Sequence, residues 1–155
     1  MNRNIARELA VQIVFGVSAS GTPVDEYVES FFADEHFAAL LEENELYQEK
    51  PRTGMFAYIR RTVDGVFDNL TEIDALIEKF ARGWTVNRIS ATARAVLRVA
   101  VYEILYAEDV PTGAAINSAL EIDKGYDDAD TVAFVNGVLG SFARSLDAEK
   151  ELSER

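Results

Sequence analysis

Arginines spaced one helical turn apart are the residues of this chain best suited to chemistry. Arg94 and Arg98 stand at i, i+4 in an otherwise apolar stretch, Arg88 precedes them, and Arg3 and Arg7 repeat the spacing near the N-terminus. A guanidinium is planar, permanently charged and carries a fork of donors that matches phosphate oxygens, so such pairs suit a phosphate backbone. They equally suit the neutralisation of acids on neighbouring helices. The chain has 27 Asp and Glu residues to offer, and the pattern alone leaves both readings open.

Catalytic and metal-binding patterns fare worse. His36 is the single histidine, and there is no cysteine, so neither a zinc site nor a Ser-His-Asp device can be assembled. Asp127 to Asp130 would open a calcium loop only with Gly at the sixth position and Glu at the twelfth. Those positions are Val132 and Val138, and the acids read as a helix cap. Acid pairs such as Asp64 and Asp68 fit a solvated helix face better than a catalytic dyad. "GVSASG" lacks the spacing of a nucleophile elbow, and no phosphate-cradling glycine loop is present. The chain reads as a non-enzyme with no catalytic residue, no metal site and no cofactor.

The net charge is −12 over 155 residues, which taken globally opposes nucleic acid. The distribution matters more. Residues 23–50 hold nine acids (Asp25, Glu26, Glu29, Asp34, Glu35, Glu42, Glu43, Glu45, Glu49) against Lys50, a net of −8. Between Arg82 and Tyr102 lie Arg82, Arg88, Arg94 and Arg98 and no acid. The protein is acidic with a local basic region. There is no apolar run long enough to span a membrane and no signal-peptide pattern, so a cytoplasmic protein is expected.

The elements that must position these residues are helices, because apolar residues recur at helical spacing almost throughout. Ile5, Leu9 and Ile13 stripe a first helix, with Gly16 and the "SASG" run as its end. Thr22 is the expected cap of a second, with Pro23 at its first position. Pro51 and Gly54 break the acidic segment. A long amphipathic helix follows over 55–70. Thr71 and Asp74 form the expected capping box of the next, which Gly83 stops. Ser90 caps "ATARAVLRVAVYEILYA", apolar over most of its circumference and hence the central buried helix. Gly125 closes "AAINSALEIDKG". "DDADT" caps a last core helix over 131–145, with a charged, fraying tail at 147–155. The expected fold class is all-α: a single-domain bundle of about six to eight helices.

One stretch resists a simple reading. In "FVNGVLGSFA", Asn136-Gly137 is a strong two-residue hairpin signal. Yet Phe134, Val135, Val138, Leu139 and Phe142 keep helical register across it. The helix is the better reading, with Gly137 and Gly140 expected to permit close helix–helix approach and Asn136 set beside the apolar stripe.

Several stretches together resemble the NusB family of transcription antitermination factors. "ARELAVQIVF" is similar to that family's opening helix. "EIDALIEKFARGWTVNRI" and "ATARAVLRVAVYEILYAEDVPTGAAINSALEIDKGY" are similar to its centre, and "FVNGVL" to its near-signature run. The likeness is good over roughly 4–15 and 70–155 and loose over 16–69. It implies an all-α fold of two packed helical subdomains, about 1–70 and 71–146. It also implies a non-enzymatic role: pairing with the ribosomal protein NusE, binding single-stranded boxA-type RNA in ribosomal-RNA transcripts, and helping RNA polymerase read through terminators. Carried over position by position, it makes Arg3 and Arg7 phosphate contacts and Phe15 a ring near the RNA. It places Phe134 and Asn136 in the signature run and matches Lys124 to the lysine of the preceding helix. Arg94, from the basic region, joins them as an RNA-binding candidate.

Departures from the family pattern weaken the RNA side. "MNRNIAR" carries asparagines where the family has a denser basic cluster, and each lost phosphate contact removes about 0.7 from the salt slope on a single strand. Ser118 and Ala93 stand where acids are common. The expectation is weak binding alone, with a basic partner supplying much of the attraction. Two competitors remain: an interaction module of the same fold that has lost RNA contact, and a homodimer whose interface masks the RNA surface.

Overall fold

A computed structural model of the chain describes residues 2–33 and 53–154. His36 and most of the acidic segment lie outside the described residues. Those described form seven α-helices and one short 3-10 turn, with no strand among them. They divide into two compact units, 1–68 and 69–155.

The first unit is built on α1 (Arg3–Ser20), with α2 (Val24–Phe31) and α3 (Thr53–Asp68) against it. Asn2 caps α1 by accepting from the Ile5 amide at 2.9 Å. Gly16 does not end the helix as expected. It continues to Ser20, and Gly21 closes it in the left-handed conformation at φ 69°. Gly16 has a different duty: a Cβ there would lie 1.8 Å from the Tyr27 hydroxyl of α2, so the missing side chain is the space that ring occupies. Val24, not Pro23, opens α2, and Pro23 takes the capping position expected of Thr22. The shift is one residue, and the Pro23 carbonyl accepts the first helical bond from Tyr27. Gly54 lies in the first turn of α3, and Pro51, the other expected breaker, lies outside the described residues. The core is Leu9, Ile13 and Val14 of α1 with Ile59, Val63 and Val66 of α3. Phe31, Phe32 and Phe56 make an edge-to-face aromatic row.

The second unit wraps α4 (Leu70–Phe80), α6 (Thr112–Lys124) and α7 (Ala129–Ser153) around α5 (Ala91–Tyr106). The expected central helix is central: every residue from Ala95 to Glu103 is buried. Ser90 caps it by accepting from the Ala93 amide at 3.3 Å. The capping box expected at Thr71 and Asp74 is absent. Asn69 occupies the capping position of α4, and Asp74 instead takes a two-pronged bond from Arg98, Nε to Oδ1 at 2.8 Å and Nη2 to Oδ2 at 2.9 Å. Gly125 follows α6 as expected but in right-handed conformation at φ −78°. Asp128 caps α7, accepting from the Thr131 amide at 2.8 Å. That bond holds the Asp128 carboxyl below its ordinary value. Helix α7 runs past the expected 145 to Ser153, so most of the supposedly fraying tail is helical.

Candidate nucleic-acid interface

The cluster on the second unit begins with a helix end. After α4 the chain reverses through Arg82 at φ 46° and Gly83 at φ 92°. The left-handed region costs a non-glycine residue about 1–2 kcal/mol, and here it turns the chain from α4 into the loop that carries Trp84. The 3-10 turn Val86–Arg88 then fixes that loop from both sides. The Val86 amide donates to Glu78 Oε1 at 3.1 Å, and the Val86 carbonyl accepts from Arg94 Nη1 at 3.3 Å. Arg94 is therefore a brace for this loop.

Trp84 leaves the loop 51% exposed and meets Phe134 of α7 edge to face, ring centres 6.1 Å apart at 62°. The two rings stand between two cavities. One, of about 440 Å³, is lined among others by Arg82, Gly137, Ser141 and Arg144. The other, of about 340 Å³, is lined by Arg88, Ser90, Asp128 and Asp130 among others. Arg82, Arg88 and Arg144 are exposed and make no ion pair among the described residues. Arg144 lies back along α7, its Nη2 donating to Ser141 Oγ at 3.2 Å and its Nη1 3.3 Å from where a Gly140 Cβ would stand.

Gly137 overturns an expectation. A Cβ built on it meets nothing within 4 Å among the described residues, so none of their helices approaches it closely. The stretch is helical, as its apolar register requires, but the glycine faces open space on the cavity side.

Near the second cavity sits a carboxyl pair. Asp123 is wholly buried, and neither of its carboxylate oxygens has a hydrogen-bond partner among the described residues. Burial first, then the neighbouring Asp127 and Asp128, push its carboxyl up to about 7. Asp127 is tied to the α5 cap through Ser90 Oγ, which donates to its Oδ1 at 3.4 Å.

The residues expected from the sequence fall unevenly. Arg3, Arg7 and Phe15 are on α1 of the first unit. Arg7, expected on the surface as a phosphate contact, is instead 4% exposed, with Nη1 donating to Asn4 Oδ1 at 2.8 Å. The α1 core face extends over it, so its guanidinium serves the fold. The Arg3 guanidinium lies 4.2 Å over the Tyr58 ring. Phe15 is 40% exposed. In the second unit Lys124 is exposed and pairs with Glu121 at 3.0 Å. Asn136 is exposed but stands about 200° round α7 from Phe134 and lines neither cavity. Of the expected set, Phe134 lines the two cavities and Arg94 braces the Trp84 loop; the others lie outside the cluster. Trp84 and Arg144 were not singled out by sequence, and Arg82 was noted only as a member of the basic region; the signals available were the lone tryptophan and the acid-free run that begins at Arg82.

No helix among the described residues is long and apolar enough to cross a membrane, and no described group of three or more His, Asp or Glu side chains is placed to hold a metal ion.

Comparison with known proteins places this geometry. A NusB from T. maritima superposes with a TM-score of 0.75 at 27% identity, over 93% of this chain and 92% of that one. A solved complex of the antitermination factors NusB and NusE with double-stranded RNA contains a chain of the same fold, TM-score 0.73 at 24% identity, over 92% of this chain and 96% of that one. The transcription antitermination protein NusB of Symbiobacterium thermophilum is 39% identical over 146 residues, 94% of this chain and 92% of its own length. The model of the NusB family matches residues 4–144, and the chain belongs to the NusB family.

Proposed function

We propose that this chain is a transcription antitermination factor that pairs with the ribosomal protein NusE and binds boxA-type RNA in nascent ribosomal-RNA transcripts, suppressing premature termination. Its role is binding, not catalysis. The observation that carries the reading is the family match across residues 4–144, together with a curated relative named for antitermination at 39% identity. The second unit supports the RNA side with the half-exposed Trp84 ring, beside the partly exposed Phe134, flanked by arginines that no acid neutralises among the described residues. In this reading Arg3, Phe15, Lys124, Phe134 and Asn136 are candidate RNA contacts, Arg94 acts by holding the Trp84 loop, and Arg7 acts through α1.

A net charge of −12 opposes RNA at long range, so NusE supplies much of the attraction. Titration of a boxA-type RNA with the protein alone and with NusE tests this. Tighter binding in the presence of NusE is expected. Equal affinities contradict the partner's contribution, and no binding in either case contradicts the RNA role. The interaction-module reading draws its support from arginines committed inside the fold: Arg7 on Asn4, Arg94 on Val86 and Arg98 on Asp74. Capture of NusE without any RNA binding would favour it.

A further inference from the structure

We propose that Trp84, Gly137, Arg82 and Arg144 form a nucleotide subsite, in which one unstacked base of single-stranded RNA lies against Trp84 over Gly137 and an adjoining phosphate is held by Arg82 and Arg144. This rests on the RNA-binding reading above and gives it a place and a set of residues.

Gly137 is the starting point. Glycine within a helix is destabilising relative to alanine, so it needs a reason. Packing among the described residues does not provide one, because none of them lies within 4 Å of where its Cβ would be. The space above it is part of the cavity of about 440 Å³, within the size range of small-ligand sites, about 300–1,000 Å³. A bare backbone at a cavity wall is what a planar base needs to approach the helix closely.

The remaining walls fit the same occupant. Trp84 presents a large ring, half in solvent and steadied by Phe134, and stacking on such a ring accepts any base. Arg82 and Arg144 stand on the same cavity with no carboxylate among its lining residues, although the chain as a whole is strongly acidic. The neighbouring cavity, lined by Asp128 and Asp130, repels phosphate by comparison. Flat rings, two forked cations and an open stretch of backbone favour a nucleotide over a protein helix, which would seek a continuous apolar groove.

Trp84 is the single tryptophan of the chain, so its emission reports on this subsite. The experiment adds a labelled 12-nucleotide single-stranded boxA-type RNA to the full chain bound to NusE. RNA anisotropy and tryptophan emission are followed together for the wild type and for Trp84→Phe, Trp84→Ala and Gly137→Ala. The expected result is saturable quenching that tracks the anisotropy and disappears in Trp84→Phe, which still binds. Trp84→Ala and Gly137→Ala are each expected to bind roughly tenfold more weakly, while the Tm of Gly137→Ala is unchanged or raised. RNA bound by the wild type with flat emission, and equally by Gly137→Ala, would overturn the subsite and leave the RNA-binding function standing. RNA not bound by the wild-type complex at all would overturn both. Loss of NusE, rather than RNA, from Gly137→Ala would make the cavity a protein dock and also overturn the proposal.

Discussion

Gly16 and Gly137 each put inside an unbroken helix a residue that disfavours it, and their surroundings are opposite. At Gly16, in the first unit, the Tyr27 ring fills the vacated volume. At Gly137, in the second, the volume is empty and opens into a cavity. The first glycine is explained by the fold and the second is not. The arginines divide in the same way. Arg7 is buried against Asn4 and Arg98 is locked to Asp74, whereas Arg82 and Arg144 stand exposed beside the empty volume. A residue type that suits a ligand becomes a candidate only after the fold's own claims on it have been subtracted.

That comparison can be broken at several points. The largest effect is expected for Arg98→Ala, which leaves the partly covered Asp74 carboxylate without its fork; about 3 kcal/mol of stability should be lost in urea unfolding. Gly16→Ala forces Tyr27 out of its seat and should cost about 1–2 kcal/mol by the same measurement. A cost near zero there would remove one side of the comparison. Asp123 sets a pH dependence. Its carboxyl is raised to about 7 in the fold, against about 4 in the unfolded chain. Folding therefore favours the protonated form. The stabilisation is fully present below about pH 4, is lost as pH rises toward about 7, and is level above, with a slope of at most about 1.4 kcal/mol per pH unit. Asp123→Asn should lose that component of the slope when Tm is followed across pH 4–8. Gly137→Ala should gain about 0.5–1 kcal/mol, opposite in sign to Gly16→Ala, because helix propensity improves and no clash is introduced. Lys124→Ala, which removes only an exposed pair with Glu121, should change stability by less than about 0.5 kcal/mol.

Much of the fold was legible because burial imposes helical period on the sequence. The apolar register of Val135, Val138, Leu139 and Phe142 outweighs the turn preference of Asn136-Gly137, and the long apolar run of α5 announced a central helix. The sequence also offered Ser90 and the "DDADT" run as caps, and Ser90 and, within that run, Asp128 act as caps. Other boundaries escaped because local signals compete with tertiary partners. Thr71 and Asp74 have the spacing of a capping box, but Arg98 outbids the backbone for Asp74. Gly16 looked like a stop because a sequence cannot show that Tyr27 lies over it. The candidate site was half legible. Phe134 and the acid-free run from Arg82 could be read directly. The meeting of Trp84, Arg82 and Gly137 with Arg144 depends on the left-handed turn at Arg82 and on the docking of the loop against α7, neither of which leaves a local mark.

The most direct test of the central claim, that the exposed arginines beside Gly137 hold RNA phosphate, is the salt dependence of boxA-type RNA binding by the NusE complex. The wild type is compared with the double variant Arg82→Ala, Arg144→Ala. Two phosphate contacts on a single strand contribute about 1.4 to the slope of log affinity against log salt. The account expects the variant's slope to be shallower by about that amount while its unfolding midpoint stays close to wild type. Parallel slopes for the two proteins would contradict it.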